Sequence, residues 1–307
     1  MDISVVIVSY NVRELLRRCL ASVYAGLQGL QGEVIVVDNA STDGSAEMVR
    51  REFPQVRLVD NPHNRGFAAA NNQGIGLSRG RYILLLNCDA EVVGEALTTM
   101  VDCLDRHSEM GLVGPQLLNT DGSVQSSRRR FPTLATAFVE STILQRWLPN
   151  LGHLRRYYVM DRPDNLEQEV DWLIGACLLV RREVVEQVGP LDEAFFMYFE
   201  EVDWCHRIRQ GGWKIVYLPS AQVVHHYGQS AEKDIPHRHI YFNNSKCKYY
   251  AKRYGPLAAA VIRLFLLMTF LYQMAEEGAK LALGHKAALR RHRLGVLFQV
   301  VRSGLKG

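Results

Sequence analysis

The apolar run Tyr82-Ile83-Leu84-Leu85-Leu86 leads straight into Asn87-Cys88-Asp89-Ala90-Glu91. It reads as a buried strand that stops at a cluster of oxygen ligands. Open α/β sheets bind ligands outside the carboxyl ends of their strands. Asp89 in that place suits a hard divalent cation, which takes oxygen donors, and such a cation can hold a diphosphate. The same residues also suit a strand closed by an Asx turn. A second cluster, Glu200, Glu201 and Asp203, sits inside the aromatic stretch Phe195–Trp204. On a helix Glu200 and Asp203 share a face while Glu201 points elsewhere. Arg207 lies four residues after Asp203, the spacing of a helical ion pair. Glu201 is then left to face a cleft, where neighbours such as Phe199 raise its pKa toward that of a working base. Finally, His225 and His226 end a short strand and point to opposite faces. One imidazole can join Asp89 on a manganese-like ion.

The elements that must position these groups alternate over the first hundred residues. Ile3–Val8, Glu33–Val37, Val56–Val59 and the Tyr82 run read as strands. Helices are expected over Glu14–Tyr24, with Asn11 as cap and Leu15, Leu16, Cys19, Leu20 and Val23 on one face, then over Ser45–Glu52, Gly66–Ser78 and about Gly94–His107. This order predicts a parallel sheet with right-handed crossovers. Residues 111–171 are less regular. Beyond them, Trp172–Val180 reads as one strand, Arg182–Val188 as a helix, Phe195–Arg209 as an aromatic and acidic stretch ending in a helix, and Ile215–Leu218 and Gln222–His225 as two short strands.

Three strand ends carry polar residues. Ser9-Tyr10-Asn11 follows the first strand with no glycine, which disfavours both a dinucleotide fingerprint and a P-loop. Asp38 ends the second strand and can accept from a base imide or a ribose hydroxyl, while Ser41 or Asp43 suits a helix cap. The segment Asn61–Gly74 is rich in Asn and Gly, which weaken helices. Its small residues allow close backbone approach, and a helix N-terminus beside Arg65 suits an anion; tight helix–sheet packing is the competing explanation.

Composition bounds the class. With 307 residues, 48% of them hydrophobic, the chain can bury a substantial core, and a net charge of +4 does not argue for nucleic acid. The six cysteines form no C-x-x-C pair, and their spacing matches neither a zinc site nor a disulfide framework. Reduced thiols in a cytosolic protein are expected. The start lacks the basic and apolar regions of a secretory signal. Leu257–Ala275 is almost wholly apolar, interrupted by Arg263 and Gln273, and the chain beyond Gly278 is basic without an acidic residue. A membrane span needs roughly 20 apolar residues, and Arg263 near the middle would cost about 2.5–3.5 kcal/mol. An interfacial helix with a basic flank fits better; a core or oligomer helix is the alternative.

Taken together, the segments resemble the family 2, GT-A-type inverting glycosyltransferases, and within them the bacterial rhamnosyltransferase-like branch of cell-wall and surface-polysaccharide assembly. The resemblance covers residues 3 to 230. It rests on Ser9-Tyr10-Asn11, Val37–Ser45, Asn64-Arg65-Gly66-Phe67-Ala68, Leu86-Asn87-Cys88-Asp89, Gly175-Ala176, Phe199–Asp203, and Gly212-Trp213-Lys214-Ile215 through His225. Each motif is weak alone; their order and spacing are specific. The resemblance implies a mixed, mostly parallel GT-A sheet flanked by helices, with a glycosyltransferase domain over 1–250 (1–110 the nucleotide-sugar half, 111–250 the acceptor half) and a helical, membrane-associating region over 251–307. It implies a nucleotide-diphosphate sugar donor, dTDP-rhamnose before UDP-sugars, and Mn2+ or Mg2+. The donor would be held by Ser9, Tyr10, Asn11, Asp38, Asn39, Ser41, Asn64, Arg65, Gly66, Asn71, Asn87 and Cys88. Asn87-Cys88-Asp89 stands in place of the family's Asp-x-Asp, with Asp89, His225 and Asn87 on the metal. Asn87 neutralises no metal charge, so weaker metal binding is expected. Glu201 takes the place of the catalytic base, with Glu200 as the alternative. Arg128, Arg129, Arg130, Trp172, Gly175 and Asp203 would border the acceptor, a saccharide or a lipid-linked one. The expected setting is cytoplasmic, peripheral on the inner face of the cell membrane through residues 257–307, with a homodimer through the C-terminal helices as an option. Two other classes compete. A sugar nucleotidyltransferase needs a Gly-rich, Lys/Arg-bearing loop after the first strand, which Ser9–Val12 does not supply. A degenerate nucleotide-binding scaffold draws support from Asn87 but not from Glu201, Asp203 and His225.

Overall fold

Seven consecutive buried residues, Ile3–Ser9, form β1. Burial on both faces is the mark of a central strand in a helix-covered parallel sheet. The computed structural model describes residues 1–148, 151–226 and 235–306. In chain order its elements are β1, α1 (Arg13–Gly26), β2 (Gly32–Asp38), α2 (Ser45–Glu52), β3 (Arg57–Asp60), α3 (Phe67–Leu77), β4 (Tyr82–Asn87), β5 (Ala90–Val93), α4 (Ala96–Arg106) and β6 (Met110–Leu118). There follow β7 (Arg128–Arg129), α5 (Leu134–Val139), α6 (Ile143–Trp147), α7 (Gly152–Tyr157), β8 (Gln168–Glu169), β9 (Trp172–Leu173), β10 (Cys177–Arg181), α8 (Arg182–Val188), α9 (Glu200–Gln210), β11 (Lys214–His225), α10 (Ile235–Tyr254), α11 (Pro256–Ala282) and α12 (Ala287–Arg302).

The main sheet runs β3-β2-β1-β4-β10-β6-β11-β5, with β8 also paired to β11. Its first four strands are parallel, and β10 enters antiparallel to both β4 and β6. Register aligns the polar strand ends: Ser9 pairs with Asp38, Val8 with Asn87, and Asp38 with Asp60. The sheet's main core packs Val5, Ile7, Leu84 and Leu86 against Leu16, Leu20 and Val23 of α1 and Leu97, Met100 and Leu104 of α4.

Several expected elements differ. Asn11 does not cap α1; Val12 holds that position, and Asn11 takes a left-handed φ of 55° with its side chain turned to Thr42. Neither Ser41 nor Asp43 is the N-cap of α2, which is Gly44. Trp172–Val180 is two strands in two sheets. Ala176 N–H bonds back to Ile174 O at 2.8 Å and turns the chain, so β9 pairs with β7 while β10 joins the main sheet. Conversely, Ile215–Leu218 and Gln222–His225 are one strand, interrupted by a register shift between Leu218 and Gln222. β6 lies inside the stretch read as irregular. Gly111, Gly114 and Pro115 punctuate it, yet eight of its nine residues are buried. β5 is not legible in the sequence because its four residues begin inside the ligand cluster; its partner is the end of β11, with His225 opposite Ala90. Residues 227–230, the end of the stretch the resemblance covers, lie outside the described residues.

The chain forms two compact units. The first holds Met1–Phe131, Tyr158–Phe196 and the chain from Glu200 through β11; the second holds Pro132–Tyr157, Met197–Phe199 and the C-terminal helices. The boundary expected after residue 250 falls inside α10. In the second unit Lys246 is buried with its Nζ on Glu140 O at 2.6 Å, and Tyr250 donates to Thr133 O at 2.9 Å.

Candidate functional site

The site grows from the carboxyl edge of β2, β1 and β4. Asp38 is buried; its Oδ1 accepts from Ser41 N–H at 2.7 Å, while Oδ2 has no hydrogen-bond partner among the described residues. Burial lifts its carboxyl above the usual aspartate range, partly offset by the Ser41 bond. Ser9 Oγ is likewise buried without a partner. Asn11 joins two loops, accepting from Thr42 N–H at 2.7 Å while its own N–H donates to Ser41 Oγ at 2.9 Å. Tyr10 is exposed.

The loop before α3 is tied to the same edge. Asn39 Nδ2 donates to Asn64 Oδ1 at 2.8 Å, and Asn39 Oδ1 accepts from Arg65 N–H at 3.0 Å. The Arg65 side chain is exposed at the loop. Gly66 has φ 83° and ψ 167°, a region open essentially to glycine alone. A Cβ there would lie 2.6 Å from Phe196 O, the atom that accepts from Phe67 N–H. Asn71 is placed differently from the other expected donor residues: it is buried within α3 and bonds Phe67 O at 2.9 Å.

At the end of β4, Asp89 and His225 are both buried, with Asp89 Oδ1 3.4 Å from His225 Nε2. Asn87 Nδ2 lies 3.4 Å from the same ring nitrogen, and its Oδ1 is buried with no hydrogen-bond partner among the described residues. His226 turns away to Glu91 Oε1 at 2.6 Å, so the two imidazoles separate as strand alternation expects. Cys88 is buried and its thiol is pushed far up by burial, which keeps it a neutral neighbour. No group of three or more His, Cys, Asp or Glu side chains that could hold a metal occurs among the described residues. Asp89, His225 and the orphaned amide oxygen of Asn87 still form an oxygen- and nitrogen-donor set that fits a manganese-like cation. Sequence reading missed Gln125: its Oε1 meets His225 Nδ1 at 2.7 Å. Nothing in the sequence around it marks this role, because the contact spans a hundred residues.

Between β4 and α9 runs the Gly175–Ala176 turn. Asn87 N–H donates to Ala176 O at 2.9 Å. A Cβ on Gly175 would stand 3.6 Å from Cβ and Cγ of Glu201 and 3.8 Å from its carboxyl carbon. Glu201, half-buried in the first turn of α9, therefore lies beside the turn whose next carbonyl holds Asn87. Glu200 and Asp203 face inward, both buried. Burial, then the charge of Glu201, raises the Glu200 carboxyl well above the glutamate range. Asp203 accepts from Arg207 Nε at 3.0 Å, the expected pair.

The three arginines diverge. Arg128 lies over the Tyr217 ring and donates to Pro163 O at 2.8 Å. Arg129 stacks on Tyr158 at 4.6 Å. Arg130 pairs with Asp161 at 2.9 Å and accepts at its carbonyl from Trp172 Nε1. Arg128 and Arg129, with Gln125, Tyr158 and Arg162, line an open groove of about 540 Å³.

The glycosyl transferase family 2 profile matches residues 4–189. The N-acetylglucosaminyl-diphospho-decaprenol L-rhamnosyltransferase of Mycobacterium tuberculosis is 34% identical over 247 residues, 77% of this chain and 79% of that protein. A low-salt glycan biosynthesis hexosyltransferase of Haloferax volcanii is 27% identical over 228 residues, 73% of this chain and 67% of that protein. Among solved structures, a mannosyltransferase of Pyrobaculum calidifontis in complex with GDP-Man and Mn2+ superposes with a TM-score of 0.58 at 18% identity, covering 99% of this chain and 87% of that one.

Proposed function

Given that this chain belongs to the family 2 glycosyltransferases and carries the GT-A fold, we propose that it transfers L-rhamnose, with inversion, from dTDP-rhamnose to a lipid-linked saccharide. The work would serve cell-wall or surface-polysaccharide assembly, at the inner face of the cell membrane. The sugar and the lipid-linked acceptor are supported by the named activity of the mycobacterial relative. The single observation behind the mechanism is the Gly175–Ala176 turn, which bonds Asn87 through Ala176 O and has Glu201 beside Gly175.

Each side chain then has a task. Asp38, half-satisfied at the edge of β2, accepts from the donor's base or ribose. The loop bonded through Asn39 and Asn64 presents Arg65 to the diphosphate. Asp89, His225 and Asn87 would hold the divalent cation, which when bound neutralises the departing diphosphate as a Lewis acid. Glu201 takes the proton from the acceptor hydroxyl as that oxygen forms its bond to the anomeric carbon. Attack comes from the face opposite the diphosphate, so the C–O bond to the phosphate breaks as the new one forms and the configuration inverts. The groove at Arg128 and Arg129 offers positive charge to an acceptor diphosphate.

Incubation with radiolabelled dTDP-rhamnose and a polyprenyl-diphosphate saccharide should move label into the organic phase. Glu201→Gln should slow that transfer by about 10²–10⁴-fold with little change in donor affinity. Wild-type turnover in Glu201→Gln would sink the base assignment, and label transferred only from UDP-sugars would replace the donor.

A further inference from the structure

Asn39 and Asn61 are both buried. A buried primary amide is costly unless its hydrogen bonds are made. These two make theirs in a circuit that closes on α3. Asn39 Oδ1 accepts from Arg65 N–H at 3.0 Å, and Asn39 Nδ2 donates to Asn64 Oδ1 at 2.8 Å and to Gly66 O at 3.3 Å. Asn61 Nδ2 donates to Asn39 Oδ1 at 3.3 Å and to Gln73 Oε1 at 2.8 Å. Gln73, in the second turn of α3, returns a bond from Nε2 to Asn61 Oδ1 at 3.0 Å. The backbone sets the sense of the circuit. Arg65 N–H can only donate and Gly66 O can only accept, so Asn39 is held in one amide orientation with both its donors and both its acceptor positions in use. Asn39 Oδ1 then requires Nδ2 of Asn61, and Asn61 in turn requires the acceptor and donor that Gln73 offers side by side.

We propose that Asn61 and Gln73 are positioning residues for the donor's diphosphate: their reciprocal amide pair locks Asn39, and Asn39 holds the backbone of Arg65. This inference rests on the reading of Arg65 as the partner of the diphosphate. The Arg65 side chain is exposed, so its reach is set by where its backbone is fixed. Gln73→Leu keeps the bulk in α3 but leaves Asn61 with unpaired polar atoms, and Asn61 can then turn its donor away from Asn39. An amide pair that only packed α3 against the sheet would alter stability and leave the action of Arg65 unchanged.

A double-mutant cycle separates the two. The probes are dTDP, UDP and GDP with Mn2+, titrated calorimetrically into the full chain. Arg65→Ala should weaken binding of the nucleotide that the wild type takes by about 10–100-fold, as loss of a hydrogen bond to a charged group does. Gln73→Leu should weaken it by about tenfold, within the coupling measured inside one hydrogen-bond network. In the Arg65→Ala background the same change should cost nothing in affinity, while the fall in melting temperature is the same in both backgrounds. Gln73→Glu serves should Gln73→Leu not fold. It keeps an acceptor for Asn61 Nδ2 but sets a carboxylate oxygen against Asn61 Oδ1, and the same non-additive loss is expected. Equal losses with and without Arg65, or no loss at all, overturn the positioning role while the Arg65 reading stands. An Arg65→Ala variant that binds as well as the parent, or a parent that binds none of the three nucleotides, overturns that reading and the positioning role with it.

Discussion

Gln125 fixes how His225 can act. With Nδ1–H donating to Gln125 Oε1 at 2.7 Å, the imidazole keeps its Nε2 lone pair for the side of Asp89 and Asn87. Partners of this kind orient a ligating ring and raise its basicity, and losing one typically costs 10–100-fold in metal affinity. Gln125→Leu should therefore weaken Mn2+ binding by about 10–100-fold in a titration of the protein without donor, followed by electron paramagnetic resonance. An unchanged Mn2+ affinity would show that His225 needs no such partner or does not face the ion. The effect should be pronounced here, because Asn87 brings an amide where a carboxylate would add charge, leaving Asp89 as the one anionic side chain of the three. The other histidine is accounted for separately: His226 pairs with Glu91, which also meets Arg18 at 3.5 Å.

Elements bring these residues together through register and one glycine. The loop entering α3 can pass Phe196 only because Gly66 lacks a Cβ and takes a glycine-only torsion. Gly66→Ala should lower stability by about 1–3 kcal/mol from the torsion alone. Gly76→Ala, at an exposed helical position with nothing within 4 Å, should instead raise it by about 0.5–1 kcal/mol. Calorimetric melting of both variants checks this pair of opposite signs; a neutral Gly66→Ala would mean that the loop takes another path. The parallel half of the sheet was readable from sequence, since β1, β2 and β4 are apolar runs buried on both faces and end in polar residues. So were Asp38, Asp89 and the Asp203–Arg207 pair, each placed by strand end or helical spacing. The mixed half was legible only in part, through the apolar runs of β10 and β11. β6 hides behind its glycines and proline, and β9 and β10 share one apolar run that a backbone turn divides. Gln125 and the Gly175 approach to Glu201 were equally out of reach, because both arise from contacts distant in sequence. The left-handed pair at Tyr198-Phe199 runs against local propensity; Phe242 and Tyr249 of α10 pack on its rings and Ser245 bonds Met197 O beside it.

The molecule as a whole carries an apolar surface at one place that the sheet does not need. α11 buries Ile262, Leu266, Thr269 and Phe270, yet Leu257, Val261, Leu264, Met268, Leu271 and Tyr272 stand exposed along the opposite side. Spacings of three and four residues align them in one stripe. Trp147 of α6, itself 55% exposed, packs edge-on against Tyr272 at 5.6 Å and extends it. Only 22% of the most apolar window of α11 is buried. A span is disfavoured by its surroundings: α10, packed along α11, bears Lys246, Lys248, Lys252 and Arg253, and charges of that kind are costly in hydrocarbon. An in-plane helix meets no such cost. In that placement its apolar stripe would enter the acyl boundary while the exposed Lys286, Arg291, Arg293 and Arg302 around α12 would meet anionic headgroups. Each such residue contributes about 1 kcal/mol near an anionic surface, a contribution that salt removes. The full chain should thus co-float with phosphatidylglycerol vesicles at low salt, more weakly at high salt and on neutral vesicles. Leu264→Glu combined with Met268→Glu should abolish flotation while leaving the melting temperature close to wild type, because both side chains are already in water. A double variant that floats as well as the parent would locate the membrane contact elsewhere, and one that changes a dimer to a monomer without altering flotation would assign the stripe to a second copy of the chain.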